Sequence, residues 1–301
     1  MNRLKLILLL ALILIMTIYP GSNTPPEYNF DTSQRTDGLP NEGEENYQVP
    51  EISERITNLP WANDKDFLAA KEIFKTPVLM AGFCAVLNNL LPCEEYNIRL
   101  ATESVKGALV KPSEVFSQNS SIGPYTSRGF QEGASYIGGK IAMAEGGGVC
   151  KIATVLYNLA VLSNLEIVER HNHTMPTNYV PYGQDATVFY GVKDLRFINT
   201  TEGNILIWSQ LIGCRLYMAF YGIEDCPKVT WSHEITNIVK PSKKYIKNPE
   251  LPPGEMKTVV KGIEGATVKT TVIIEYEDGS TEIKDMGISY YNPLPELVEV
   301  N

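Results

Sequence analysis

The sequence predicts an α+β protein: a helix bearing a cysteine at its N-terminus, packed on an antiparallel sheet, with a small C-terminal β hairpin or module. Three observations lead there. Gly146-Gly147-Gly148-Val149-Cys150 runs straight into a segment whose apolar residues Ile152, Val155, Leu156, Leu159 and Leu162 repeat at helical spacing. Beyond it the pattern changes to short runs of β-formers at 186–190, 195–198, 205–208 and 216–221. Near the end, Asp278-Gly279 lies between two β-rich runs, a hairpin signal.

At the N-terminus a short basic flank, Asn2-Arg3-Leu4-Lys5, precedes an apolar run over 6–19 broken only by Thr17. Residues 1–19 therefore read as a signal peptide or membrane anchor, and either one places the rest of the chain outside the cytoplasm. Residues 20–50 are rich in Pro, Asn, Glu, Gly and Ser and poor in aliphatics, as in a disordered tether. A main domain is assigned to 51–239. Within it, 64–90 is expected to be helical with a break at Thr76-Pro77. Residues 97–109 are expected to run from a strand into a helix. The Lys- and Pro-rich stretch 240–256 reads as a linker, and 257–301 as the small β module.

Composition narrows the class. At 301 residues with 44% hydrophobic content, the chain can build one or two cored domains. A formal charge of −9, with no basic face in the sequence, argues against a nucleic-acid partner. The five cysteines leave at least one unpaired in an exported chain. Cys84 lies near Cys93 and Cys214 near Cys226; these four allow three pairings, with free buried thiols as the alternative.

The chemistry centres on Cys150. At a helix start, unpaired N–H groups and the helix dipole favour thiolate, the nucleophilic form. The glycines permit positive φ and are expected to leave room above the sulfur. Two of the three histidines lie downstream in Glu169-Arg170-His171-Asn172-His173-Thr174. In an extended segment His171 and His173 share a face, so either can serve as general base, with His173 preferred. Asp185 is the expected third group, orienting the imidazole. His171, His173, Cys150 and Asp185 are also zinc-ligand types, so a zinc-dependent hydrolase is the rival expectation. The favoured expectation has no metal and no cofactor. Ser117 lacks the sequence context of a serine nucleophile, and His233 reads as structural.

These residues carry a family resemblance. Val105-Lys106-Gly107, Glu114-Val115-Phe116-Ser117-Gln118-Asn119, Gly123-Pro124, Arg128-Gly129-Phe130 and the block from Gly146 to Asn158 resemble motifs of the VanW-domain family. Glu169-Arg170 with His173, Gly183, Asp185-Ala186-Thr187-Val188, Tyr190-Gly191, Asp194 and Phe197-Ile198-Asn199 continue the match, in order, over a core of 105–222. The resemblance implies a membrane-tethered or wall-localised enzyme of Gram-positive type, an L,D-transpeptidase-like protein acting on peptidoglycan stem peptides to form 3-3 cross-links. It implies Cys150 as nucleophile and His173 as base. Backbone N–H groups around Gly147, Gly148 and Lys151 would hold the oxyanion, and Arg128 would bind a stem carboxylate. A non-catalytic wall-binding or scaffold member linked to glycopeptide resistance is the alternative it implies. The family usually has Gln where Lys151 stands, and Gly where Ser113 stands in Pro112-Ser113-Glu114. Lys151 is expected to favour thiolate by its charge. The close of the chain, Tyr291-Asn292-Pro293-Leu294-Pro295, resembles the end of the wall-binding β module that often accompanies these domains.

Overall fold

The computed structural model describes residues 47–301 apart from 89, 91–92 and 138–139. The expected signal or anchor segment (1–19) and most of the expected tether lie outside the described residues. No helix among the described residues is long and apolar enough to cross a membrane.

The chain divides into two compact units. The larger has described residues 47–241 and 263–294 and is built on a five-stranded antiparallel sheet. The strands are β1 (Glu54–Ile56), β2 (Val78–Val86), β3 (Leu109–Val110), β9 (Ile205–Ile212) and β10 (Arg215–Gly222). Their order across the sheet is β1-β2-β10-β9-β3. Both faces are buried. Phe83, Ala85, Met218 and Phe220 pack into the main core on one face, beneath α2 (Glu94–Val105) and α4 (Cys150–Leu162). Cys84, Val86, Tyr217, Ala219 and Tyr221 pack on the other with Trp61 and with Phe67 of α1 (Lys65–Phe74). The aromatic residues Trp61, Phe67, Trp208 and Tyr221 close that face as a ring cluster.

Double burial explains a departure from the expected helix over 64–90. Helix α1 is capped by Asp64, which accepts the Phe67 N–H at 2.8 Å, and stops at Lys75 in the left-handed region. After Pro77 the chain enters β2 and forms no second helical segment. A strand covered on both faces shows no apolar–polar alternation, so its periodicity resembles that of a buried helix. Residues 97–109 likewise differ: α2 comes first, and only Leu109–Val110 is strand.

Smaller elements complete the unit. They are β4 (Val115–Ser117), α3 (Gln118–Ile122), the β5–β6 hairpin (Glu132–Ile137, Lys140–Glu145), β7 (Glu166–Glu169) and β8 (Arg196–Ile198). Ser117 is the N-cap of α3 and also donates to Asp194 at 2.5 Å, which is a structural use of its hydroxyl. A three-stranded sheet belongs to the same unit, with β11 at Lys228–Val239, β14 at Gly265–Glu275 and β15 at Thr281–Tyr291, in that order. Strands β14 and β15 form the hairpin expected at Asp278-Gly279; Gly279 has φ +82 and Tyr276 N–H bonds to Ser280 O.

The smaller unit, with described residues 242–262 and 295–301, is a three-stranded sheet. Its strand β16 (Glu296–Val300) pairs in parallel with β12 (Lys243–Lys247) and antiparallel with β13 (Met256–Val260). The stretch 240–256 expected as a linker therefore contains β12, whose Lys-rich sequence is that of an edge strand.

Candidate active site

Helix α4 begins at Cys150. Each glycine before it is needed by the backbone. Gly146 and Gly148 adopt φ +74 and +106, where an L side chain is strained. Gly147 lies so close to Gly133 of β5 that an added Cβ would sit 2.2 Å from its carbonyl carbon. Asn97 of α2 fixes the loop by donating to Gly147 O at 2.9 Å. The glycines thus serve a tight packing of the loop against α2 and β5, a correction to the expectation that they open space above the sulfur.

Helix α4 is buried along most of its length, yet it carries a polar row at helical spacing: Cys150, Thr154 and Asn158. This row grips residues 184–188. Asn158 Nδ2 donates to Gln184 O at 2.9 Å. Thr154 Oγ1 donates to Ala186 O at 3.1 Å and accepts Ala186 N–H at 3.0 Å. Cys150 Sγ accepts Val188 N–H at 3.4 Å and lies 3.4 Å from Thr187 Oγ1. The expected strand at 186–190 is therefore an extended loop held by side chains of a helix, with only an isolated bridge at Phe189.

That grip presents Asp185 to His173. The Asp185 Oδ2 atom accepts both the His173 backbone N–H at 2.6 Å and its Nδ1–H at 2.7 Å. The arrangement leaves the other ring nitrogen clear of Asp185, and His173 lies close enough to Cys150 for each to shift the other's ionisation. His173 and Asp185 are both buried, at 7% and 1% exposure, while Cys150 is half-buried. Arg170 braces the carboxylate: its Nη2 donates to Asp185 Oδ1 at 3.1 Å and its Nε to Asp185 O at 2.8 Å. Its guanidinium also lies over the Tyr157 ring, which packs against Trp231.

This geometry sets the electrostatics. Burial opposes the charged forms of both Cys150 and His173, but each supplies the other with a hydrogen bond and an opposite charge. Burial would raise the Cys150 thiol; the His173 hydrogen bond and charge, with the Thr187 and Val188 contacts, bring it down to about 7. Burial would lower His173; the Asp185 and Cys150 hydrogen bonds and charges bring it up to about 9. Burial likewise disfavours the Asp185 carboxylate, and the His173 hydrogen bond, its charge and Arg170 hold it below the usual range. Near neutral pH about half of the thiol is ionised, beside a protonated imidazole. Tyr125 and Tyr179 lie near enough to feel a charge on Cys150, and burial keeps both phenols protonated.

The other expected site residues lie apart from the sulfur. His171 lies beyond the end of β7 at Glu169 and lines the same cavity as His173, but its Nε2 pairs with Glu169 Oε1 at 3.0 Å. Arg128 is exposed and donates to Ser121 O at 2.7 Å. Lys151 Nζ forms a 2.7 Å ion pair with Glu94, so its charge is neutralised away from Cys150, contrary to expectation. Of the backbone N–H groups expected at an oxyanion site, those of Val149 and Lys151 already bond to Gly146 O and Gly148 O. His233 meets Gln184 at 3.0 Å. All five cysteines are free thiols; burial pushes Cys84 up to about 12 and Cys226 up to about 11. Among the described residues, no three His, Cys, Asp or Glu side chains converge as a metal shell.

His171 and His173 both line a cavity of about 300 Å³, with Arg170, Asn172, Thr174, Lys193 and Tyr290. A second, of about 330 Å³, runs between β7 and β15. Arg170, Thr154, Asn158 and Tyr291 were not singled out in the sequence as site residues. The first three had a signal: polar residues at i, i+4 and i+8 on an otherwise apolar helix, and an arginine beside the histidine pair. Tyr291 had none, since it arrives from the far end of the chain.

Among the described residues the fold is mostly β with four helices, and Cys150, His173 and Asp185 gather at the N-terminus of one of them. Residues 94–221 match the family model described as VanW like protein, and residues 232–300 match the G5 domain model. Over that first stretch the chain is similar to the VanW-domain family. It is 31% identical over 143 residues to the uncharacterized protein YoaR of Bacillus subtilis (strain 168), covering 47% of each chain. It is 29% identical over 127 residues to the vancomycin B-type resistance protein VanW of Enterococcus faecalis (strain ATCC 700802 / V583), covering 38% of this chain and 44% of that protein. The chain thus spans about half the length of these curated relatives. A solved structure described as an IgA1 protease G5 domain aligns with 25% of this chain and 90% of its own, at 20% identity and a TM-score of 0.17.

Proposed function

We propose that the protein is a cysteine-dependent acyltransferase of peptidoglycan, of L,D-transpeptidase type. The observation that carries this is the buried His173 between Asp185 and the Cys150 sulfur, which makes a thiolate at neutral pH inside a helix-start site.

The Cys150 thiolate attacks the carbonyl carbon of the third residue of a tetrapeptide stem. The carbonyl oxygen becomes an oxyanion, stabilised by the N–H groups of Gly148 and Cys150, since those of Gly147, Val149 and Lys151 are engaged within the loop. As the tetrahedral adduct collapses, the bond to the terminal D-Ala breaks, and the departing amine takes the imidazolium proton of His173. The thioester is then attacked by the side-chain amine of a second stem, whose proton returns to His173. The cross-link forms and the thiolate is restored. Asp185 and Arg170 keep the imidazole in one orientation throughout. Such a 3-3 link uses tetrapeptides and needs no terminal D-Ala-D-Ala, in keeping with the resistance named for the Enterococcus faecalis relative.

Association with the wall is part of the same proposal. It draws on the G5 match, on the family, and on the apolar run at 6–19, which would hold the chain at the outer face of the membrane. The test is muropeptide analysis after overexpression in a host without other L,D-transpeptidases. Wild-type protein should add 3-3 cross-links and Cys150→Ala should add none. Cross-links made by Cys150→Ala would refute the assignment. Binding to purified wall with no new cross-link from wild type would favour a non-catalytic wall-binding protein instead.

A further inference from the structure

The C-terminal sheet reaches the reactive centre. Tyr291, at the end of β15, is 4% exposed. Its hydroxyl donates to Asp185 Oδ1 at 2.5 Å and accepts the Gly183 N–H at 2.8 Å. One phenol thereby ties together both ends of the turn that carries Asp185. Two residues earlier, Ser289 Oγ accepts from Arg170 Nη1 at 2.8 Å, bracing the guanidinium that in turn braces Asp185. The backbone adds two clamps: Asn172 Nδ2 to Tyr290 O at 2.9 Å, and Asn292 N–H to Thr174 O at 2.8 Å. These bonds bracket the 170–174 segment that bears His173. Behind them, Gly183 abuts β14 so tightly that a Cβ would lie 2.2 Å from Thr270 Oγ1.

We propose that Tyr291 is a positioning residue for the Cys150–His173–Asp185 centre, and that the β14–β15 hairpin is part of the reactive unit. The functional boundary then differs from the family-model boundary, because the VanW match ends at 221 while the hydroxyl holding Asp185 lies inside the G5 match. The proposal rests on reading Cys150–His173–Asp185 as the reactive centre. It does not depend on which acyl donor is used.

A positioning role and a purely electronic one differ in sign. Without the phenol, the Gly183–Asp185 turn loses its tie and the carboxylate can swing off His173. The imidazolium weakens, and the thiol regains its proton. If the hydroxyl only withdrew charge from Asp185, its loss would instead strengthen the imidazolium and favour thiolate.

The test is the pH dependence of iodoacetamide alkylation of Cys150 in the full chain. In Tyr291→Phe, which keeps the ring that packs on Tyr182, the midpoint should rise by about one unit, slowing alkylation at neutral pH about five-fold. Tyr182→Phe removes a neighbouring hydroxyl that bonds only to Glu264 O at 3.0 Å and should keep the wild-type curve. If Tyr291→Phe does not fold, Ser289→Ala should shift the midpoint in the same direction by a smaller amount. An unchanged or lowered midpoint, or an equal rise in Tyr182→Phe, would overturn the proposal. His173→Ala separates the levels: a wild-type curve in that variant would overturn the reactive-centre reading itself, whereas a shift there with none in Tyr291→Phe would overturn only the positioning role.

Discussion

Removal of the His173 imidazole gives the sharpest check on the electrostatics. With the thiol at about 7, about half of Cys150 is thiolate at neutral pH. His173 supplies both the hydrogen bond and the charge that offset burial. In His173→Ala burial remains, so the thiol returns to its ordinary 9.0 or above. The thiolate fraction at neutral pH then falls to about 1% or less, a loss of about 50-fold. The assay is the rate of iodoacetamide modification, followed at Cys150 by peptide mass spectrometry because four other free thiols are present. Wild type should show a midpoint near 7, and His173→Ala should lag it at neutral pH and converge with it in strong alkali. His171→Ala should match wild type, since that ring pairs with Glu169. A loss under about five-fold in His173→Ala, or equal losses in the two variants, would refute the reasoning.

Three other substitutions test the frame. Lys151→Met should leave the Cys150 alkylation curve unchanged and lower stability by about 1–3 kcal/mol in urea unfolding, because it removes the cation 2.7 Å from the Glu94 carboxylate. Gly147→Ala should fail to yield soluble folded protein, or lower Tm sharply, since backbone and not a flexible side chain stands 2.2 Å from its Cβ. Ser113→Gly should stabilise by about 1 kcal/mol in the same unfolding assay, because Ser113 is held at φ +62 where the family usually has Gly.

The place of Cys150 at a helix start was legible in the sequence because its signals are local. A glycine run, a helix start and a nearby histidine pair all lie within about 25 positions of Cys150. The choice between His171 and His173 had no such signal: it depends on where β7 ends and on Asp185 meeting Nδ1. Lys151 was expected beside the thiol because adjacency in sequence suggests adjacency in space. On a helix, however, neighbours point about 100° apart, and Lys151 turns toward α2 and Glu94. Strand β2 was misread for the opposite reason: burial on both faces erased the alternation that marks a strand. Arg128 was placed by motif alone, and motifs do not report that its guanidinium ends at Ser121 O.

The contact between Val188 N–H and Cys150 Sγ offers a way to follow the proposed reaction. That amide is satisfied by sulfur where a strand would have used a carbonyl. A thiolate accepts the bond well; a thioester sulfur carries no charge and accepts it poorly. The proposed acylation would therefore deprive a backbone amide of its partner, at the point where 184–188 is otherwise pinned to α4 by Thr154 and Asn158. The Val188 resonance and its exchange with solvent become a built-in gauge of the state of the sulfur, readable by NMR without any label on the substrate.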